Sequence, residues 1–254
     1  MRIGLIVALV SAAQGLGTCS SDTLSCSSQP ADSCCTPSIG RIVLAQQWIE
    51  RLGPSDAFTL HGLWPNYCNG TYPPSTGCDS GRVYDNIYQL VQSDYELFPQ
   101  MQKFWPSYKN DFGNFWTHEW TKHGTCLSTA DPQCISEFTP GKDALAYFRM
   151  GLKTREKFDL YKALKYQGIV PGRSYPREDI INALAELGGK SILFCKGATI
   201  NEIQSTFHVQ GTDKFIMVDS SPGGNCPSTV IYPRKLPHYP SDMKLVDYSV
   251  TTIY

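Results

Sequence analysis

The sequence lacks an excess of either charge, because its 254 residues include 22 Lys and Arg against 23 Asp and Glu. This balance excludes a nucleic-acid-binding protein held mainly by a broad basic surface, although it permits an enzyme that contacts nucleic acid at one local site. Long hydrophobic runs are also missing, since the apolar stretch at residues 3–10 is far shorter than the roughly 20 residues that cross a membrane. The sequence contains no G-x-S-x-G, P-loop or dinucleotide-binding motif, which removes the common signatures of serine hydrolases and nucleotide-binding enzymes.

The N-terminus is typical of a secretory signal peptide. A positively charged start and the apolar stretch are followed by small residues, so residues 1–15 are predicted to be removed, with cleavage after Ala13 or Gly15. We therefore expect a secreted protein, either released outside the cell or delivered to a vacuole. Residues 16–234 are predicted to form one domain, and residues 235–254 a C-terminal tail.

Ten cysteines follow the predicted signal peptide. An even number in an exported chain predicts a disulfide framework, here of five bridges, whose pairing the spacing alone does not determine. A cysteine-based zinc site would need paired Cys-x-x-Cys or Cys/His spacings, which the sequence does not contain. The N-glycosylation sequon Asn69-Gly70-Thr71 lies in a turn-rich stretch that would accept a glycan at Asn69.

Hydrophobic periodicity predicts an α+β domain, with helices in the middle of the chain and strands towards both ends. The segments with strand-like patterns are 57–61, 191–196, 206–211 and 214–219, those with helical spacing are 84–104 and 142–158, and 42–48 fits both. In the second helical segment, Leu145, Phe148 and Leu152 form the predicted apolar stripe. Tyr175-Pro176 is predicted to open a further helix that Gly188-Gly189 ends.

Acid–base side chains are concentrated in two short aromatic segments. The first, residues 58–65 with the sequence FTLHGLWP, contains His61. The second, residues 115–126 with the sequence FWTHEWTKHGTC, contains His118, Glu119, Lys122 and His123. A single histidine near apolar residues is usually structural, but three histidines together with Lys and Glu indicate catalysis.

The second segment has a partial likeness to the H-E-x-x-H zinc signature. That motif places its histidines at i and i+4 on one helical face, whereas His118 and His123 are at i and i+5. Position i+4 is Lys122, which is not a metal ligand when protonated. On a helix, His118 and Lys122 would share one face and Glu119 and His123 the adjacent face, so all four could line a single cleft. We therefore expect neither a metal nor a cofactor.

Histidine, with an unperturbed pKa of about 6.5, gives and takes protons near neutrality. RNA suits such a site because it carries its own nucleophile, the ribose 2′-OH. The reaction needs a base for that hydroxyl, an acid for the leaving 5′-oxygen, and cations for the anionic transition state. Trp64 and Tyr72, near the first segment, could stack bases, which requires no basic surface.

The segments FTLHGLWP and HEWTKHGTC resemble the two active-site segments of the T2-type ribonucleases, particularly the secreted fungal members. The resemblance covers residues 19–233, including all ten cysteines. It implies an α+β fold with a central antiparallel sheet and helices packed on it, and it places residues 42–48 on a strand. The disulfides that it implies are Cys19–Cys35, Cys26–Cys68, Cys34–Cys134, Cys78–Cys126 and Cys195–Cys226.

The resemblance also assigns catalytic roles. It implies that His61 is the general acid for the leaving 5′-oxygen and that His123 is the general base for the 2′-OH. His118 would bind phosphate, and Glu119 and Lys122 would stabilise the pentacovalent transition state. Because a bare carboxylate repels phosphate, Glu119 is expected either to be protonated or to orient a neighbouring histidine.

Base recognition follows from the same resemblance. Trp64 and Tyr72 resemble the stacking walls of the first base pocket. Asn66 stands where members that favour adenine often have Asp; its amide can still hydrogen-bond an adenine edge, but the charge is lost. The residues that resemble the second base pocket are Gln47, Pro106, Ser107 and Phe115.

We expect a metal-independent endoribonuclease that converts single-stranded RNA to 2′,3′-cyclic phosphates and then hydrolyses these more slowly to 3′-phosphates. It is expected to be a monomer that neither cleaves DNA nor binds membranes. The alternatives are a catalytically silent secreted RNA-binding or toxic protein on the same scaffold, and a zinc hydrolase. RNA cleavage in excess EDTA distinguishes the three hypotheses.

Overall fold

The computed structural model describes residues 23–27 and 32–236. The predicted signal peptide, Cys19, and the tail from residue 237 onwards lie outside the described residues. The strands are β1 (Arg41–Gln47), β2 (Thr59–Asn66), β3 (Arg173–Pro176), β4 (Ile192–Lys196), β5 (Thr199–Gln210), β6 (Lys214–Val218) and β7 (Thr229–Tyr232). The α-helices are α1 (Ile87–Ser93), α2 (Leu97–Phe104), α3 (Phe112–Lys122), α4 (Lys142–Lys157), α5 (Leu160–Tyr166) and α6 (Arg177–Ala185).

The strands form one central sheet in the order β2-β1-β5-β7-β3, with β4 and β6 also paired to β5. The pairs are antiparallel, except that β5 meets β7 in parallel at Thr199 and Ile231. The predicted α+β fold with a central antiparallel sheet is therefore confirmed. The ambiguous segment 42–48 forms β1, and the three predicted late strands correspond to β4, β5 and β6.

Helices pack on this sheet through two apolar clusters of described residues. The larger cluster joins α1–α4 to β1, β2 and β5, and it contains Trp116 and Trp120, both 0% exposed. The smaller cluster joins α5 and α6 to β4, β5 and β7. Burial on this scale is the main favourable contribution to folding, and it gives the functional segments a rigid support.

Three details of the helix prediction are corrected by the structure. Segment 84–104 is two helices, because the Asp94 side chain accepts a hydrogen bond from the backbone N–H of Leu97 and α2 begins there. Tyr175 and Pro176 pair with β7 as part of β3, and Pro176 is also the N-terminal cap of α6, so the helix begins directly after the predicted position, at Arg177. The ψ of Pro176 is 135°, an extended conformation that keeps this residue outside the helix itself.

The apolar stripe of α4 is also displaced from the predicted one. Phe148 is fully buried as expected, but Leu145 and Leu152 are only partly buried. The buried face instead includes Tyr147 and Gly151. A Cβ on Gly151 would lie 2.5 Å from the ring of Trp105, so this glycine makes room for the indole and turns the helix towards it.

Disulfides tie the irregular segments to this frame. The described residues contain four of the implied bridges, with Cα–Cα distances of 4.9–5.3 Å: Cys26–Cys68, Cys34–Cys134, Cys78–Cys126 and Cys195–Cys226. Cys35 is also disulfide-bonded, and its implied partner lies outside the described residues. Two of the bridges, at Cys68 and Cys78, hold the ends of the loop that follows β2. None of the helices in the described ranges is both long and apolar enough to cross a membrane.

Candidate active site

A β-bulge orients the first candidate catalytic side chain. In the β1–β2 pair, Ala45 faces Gly62 and Gln46 faces Leu60, so His61 is the extra residue without a partner on β1. Bulges of this kind redirect a side chain and bend the strand. The backbone carbonyl of His61 accepts a hydrogen bond of 2.8 Å from the indole N–H of Trp105, which anchors the bulge to the core.

The other four candidates come from the end of α3. Asp111 caps this helix by accepting a hydrogen bond from the N–H of Asn114, and His123 follows as the C-terminal cap. The buried indole of Trp116 donates to the carbonyl of Trp105 at 2.8 Å. Because Trp105 also binds the His61 carbonyl, hydrogen bonds link α3 and the bulge through the core.

The two segments meet in one cavity of about 360 Å³. Its lining residues are His61, Trp64, Asn66, Tyr72, Pro73, Pro74, Ser75, His118, Glu119, Lys122 and His123. The structure thus brings together all five predicted catalytic residues and the three residues assigned to the first base pocket. The ring of Trp64 lies 5.0 Å from that of His61 and stacks on that of His123 at 5.2 Å.

Glu119 lies under this cavity and is 0% exposed. Its Oε2 accepts a hydrogen bond of 2.9 Å from the indole N–H of Trp64, whereas its Oε1 has no hydrogen-bond partner among the described residues. Burial raises the pKa of this carboxyl from 4.5 to about 7, although the Trp64 hydrogen bond and the nearby cations oppose the rise. A Cβ on Gly62 would lie 2.0 Å from Trp64 Nε1 and 2.1 Å from Glu119 Oε2, so only glycine permits this contact.

The histidines of the cavity differ in their electrostatic environments. Burial disfavours the charged form of His61, but the hydrogen bond with Glu202 and the charge of Glu119 outweigh it, so the pKa of His61 is raised above 6.5. Burial and the neighbouring cations, Lys122 first among them, lower the pKa of His123 to about 3. Burial and the same lysine also lower the pKa of His118.

Glu202 was not singled out from the sequence. It lies on β5, and its Oε2 is 2.7 Å from His61 Nδ1. The predicted strand began only at residue 206, so Glu202 fell outside it and carried no signal. In the structure β5 begins at Thr199, seven residues before the predicted start, and this extension places the carboxylate on the sheet.

The four residues assigned to the second base pocket lie in different surroundings. Pro106 and Ser107 line a separate cavity of about 440 Å³. The ring of Phe115 lies 6.1 Å from that of His61, and Gln47 is the cross-strand neighbour of Glu202. Another cavity, of about 520 Å³, is lined by no histidine and by none of the predicted catalytic residues.

Three residues of the site could offer atoms to a metal. One such atom each from His118, Glu119 and His123 lies within 4.8 Å of the others. One of the two carboxylate oxygens of Glu119 accepts a hydrogen bond from Trp64, and the cationic Lys122, which would repel a metal ion, lines the same cavity.

Comparisons with known proteins agree with this geometry. The sequence model of the ribonuclease T2 family matches residues 17–226. Ribonuclease Rh of Rhizopus niveus is 39% identical over 238 residues, which cover 92% of this chain and 100% of that protein. Ribonuclease T2 of Aspergillus oryzae is 37% identical, with 81% of this chain and 79% of that protein covered.

Solved structures show the same relationship. The crystal structure of Actibind, described as a T2 ribonuclease, superposes with a TM-score of 0.78 at 33% identity and covers 85% of this chain and 98% of that one. RNase NT in complex with 5′-AMP superposes with a TM-score of 0.58 at 27% identity, covering 77% of this chain and 98% of that one. The chain therefore belongs to the ribonuclease T2 family of endoribonucleases.

Proposed function

We propose that this endoribonuclease cleaves single-stranded RNA without a metal ion, by attack of the ribose 2′-OH on the adjacent phosphate. The observation that carries the proposal is that His61 and His123, from two separate segments, line one cavity; the pKa of the first is raised and that of the second is lowered. At a pH between the pKa values of these two histidines, His61 carries a proton that it can donate and His123 has a nitrogen lone pair that can accept one. Opposite displacements of this kind separate an acid from a base.

In the first step, His123 accepts the 2′-OH proton, the 2′-oxygen bonds to phosphorus, and the bond from phosphorus to the 5′-oxygen breaks. His61 gives its proton to that 5′-oxygen, which leaves a 2′,3′-cyclic phosphate. In the slower second step, His61 removes a proton from water, the water oxygen bonds to phosphorus, and the bond from phosphorus to the 2′-oxygen breaks. His123 gives its proton to that 2′-oxygen, so the product is a 3′-phosphate. Both histidines are then ready for another cycle.

The low pKa of His123 is compatible with a base. Burial is the largest cause of the low pKa, and the cations that add to it, Lys122 and His118, are the groups proposed to bind the substrate phosphate. When they pair with the negative phosphate, their effect on His123 weakens and its pKa moves back towards the ordinary value. The base therefore becomes effective once substrate is bound.

The pKa of Glu119 also explains why a carboxyl can lie beside phosphate. Below about pH 7 this group is protonated, so it does not repel the substrate. Its buried Oε1 has no partner in the described part of the chain, and a small movement of the side chain on substrate binding would let it donate a hydrogen bond to a phosphate oxygen. We propose that Glu119 and Lys122 stabilise the transition state in this way, a contribution typically worth about 2.7–4 kcal/mol per well-placed donor.

Base recognition is proposed to depend on residues that line the wall of the cavity. Tyr72 is 80% exposed at the cavity, where it can stack on a base opposite the indole of Trp64. Asn66 is 7% exposed, and its amide offers both a donor and an acceptor without charge. The second base is proposed to contact Gln47, Pro106, Ser107 and Phe115.

Export and modification remain part of the proposal. Residues 1–15 would be removed as a signal peptide, and the mature protein would act as a secreted monomer that binds no membrane. Asn69 is exposed, and its Oδ1 accepts a hydrogen bond of 2.7 Å from the Thr71 hydroxyl, so the sequon is accessible for a glycan.

The test compares His61→Phe and His123→Phe with His208→Phe, a histidine replacement on β5 outside the cavity lining. We expect the first two variants to lose cleavage and the third to keep it, with the fold intact in all three. Retention of more than about a tenth of the wild-type rate by either cavity variant contradicts its acid–base role.

Wild-type cleavage is measured with RNA and matched single-stranded DNA, each with and without excess EDTA. We expect RNA cleavage that survives EDTA, cyclic phosphate termini that appear first, and intact DNA. Loss of RNA cleavage in EDTA would favour a metal site at His118, Glu119 and His123. Absence of cleavage under both conditions would favour the catalytically silent alternative.

A further inference from the structure

We propose that Glu202 is a positioning residue that fixes the tautomer and the orientation of His61. The inference rests on the proposed role of His61 as the acid for the leaving 5′-oxygen. Its basis is geometric: Glu202 Oε2 lies 2.7 Å from His61 Nδ1, so this nitrogen is engaged by protein and the other ring nitrogen, Nε2, is left for the substrate.

The carboxylate is itself held in place. Glu202 is 8% exposed, and its second oxygen, Oε1, accepts a hydrogen bond of 2.7 Å from the side-chain amide of Gln204. Each carboxylate oxygen therefore has one partner. A carboxylate constrained in this way presents a fixed acceptor to the imidazole, as partners of catalytic and metal-binding histidines commonly do.

The sheet explains why these two residues meet although they are 141 positions apart. His61 lies on β2 and Glu202 on β5, and β1 runs between them in the sheet. Because His61 is the extra residue of the β2 bulge, its side chain is free of the regular register. Glu202 faces Gln47 at the end of β1, on the side of the sheet to which the imidazole turns.

This contact serves both chemical steps. When His61 is protonated on both nitrogens, Glu202 stabilises the imidazolium that gives its Nε2 proton to the 5′-oxygen. After that transfer the Nδ1 proton remains hydrogen-bonded to Glu202, so the free lone pair is on Nε2. That lone pair is the one required to take a proton from water during hydrolysis of the cyclic phosphate.

The test compares two substrates that differ in whether their leaving group needs a proton. Glu202→Gln is assayed on a dinucleoside phosphate and on the 3′-(4-nitrophenyl phosphate) of the same nucleoside, whose nitrophenolate departs without protonation. We expect kcat/KM to fall about 10²-fold on the dinucleotide, near the lower end of the effect of one acid–base group, and only slightly on the nitrophenyl ester. Glu202→Asp should recover part of the loss, since it restores the carboxylate.

Two further measurements distinguish positioning from a structural role. The alkaline limb of the dinucleotide rate profile should move to lower pH in Glu202→Gln, because the variant no longer stabilises the His61 imidazolium. Urea unfolding should show that the variant remains folded. Equal losses on both substrates, or an unchanged pH profile, would overturn the inference.

His61→Phe separates this inference from the proposed function. If it too spares the nitrophenyl ester, the acid role of His61 stands and the Glu202 result is decisive. If His61→Phe reduces both substrates equally, the acid role is wrong and the proposal for Glu202 is rejected with it.

Discussion

Replacing Glu119 with Gln should make the stability of the protein less sensitive to a rise in pH from 4.5 to about 7. The carboxyl is 0% exposed, and burial raises its pKa from 4.5 to about 7. Between these values the folded protein holds a proton that the unfolded chain has lost. The stability of the wild type therefore declines as pH rises through this window. At about 1.4 kcal/mol per pH unit, the total decline from this one group is about 3 kcal/mol.

The Glu119→Gln variant has no such proton. It keeps an oxygen for the Trp64 indole, and any cost of burying the amide is the same at every pH. Relative to wild type, its free energy of unfolding should therefore rise by about 3 kcal/mol between about pH 4 and about pH 8. Urea unfolding with the disulfides intact, followed by tryptophan fluorescence, measures this difference.

A control variant shows whether the effect depends on burial of the carboxyl. Glu186→Gln, on an exposed position just after α6, tests the effect of losing a carboxyl that is not buried. We expect this control to change the free energy of unfolding little at either pH. A Glu119→Gln difference that stays constant within about 0.5 kcal/mol across the range would refute the raised pKa and the role of burial in it.

Three other predictions concern the site and its supports. Gly62→Ala should displace the indole of Trp64 from Glu119, cost about 1–3 kcal/mol by overpacking and lower the cleavage rate, as urea unfolding and initial rates will measure. The rate of RNA cleavage should be highest on the acid side of neutrality and fall above about pH 7, because the carboxyl with that pKa and the raised-pKa histidine then lose their protons; a rate that keeps rising above that pH contradicts this. Replacing both Cys78 and Cys126 with Ser should lower the free energy of unfolding by about 4 kcal/mol, since their bridge closes a 48-residue separation.

Local sequence was sufficient for the elements whose pattern is strong. The strands predicted at 191–196 and 214–219 correspond to β4 and β6, and the helical spacing of 142–158 predicted α4 with nearly the observed bounds. The buried face of a helix was harder to predict from the sequence. The apolar stripe of α4 was misassigned because its buried face includes Gly151, whose role is to make room for an indole from another element.

The chemical character of this protein is set by its sequence: two segments supply three histidines, a glutamate and a lysine, and their residue types already indicate proton transfer to and from a phosphodiester. Only the tertiary structure decided how these groups differ. The pKa of His61 is raised and that of His123 is lowered because burial and neighbouring charges act on them differently, and the carboxylates that act on His61 come from distant parts of the chain. Glu202 joins the site for the same reason, since it is the pairing of β1 with both β2 and β5 that brings its carboxylate to the imidazole.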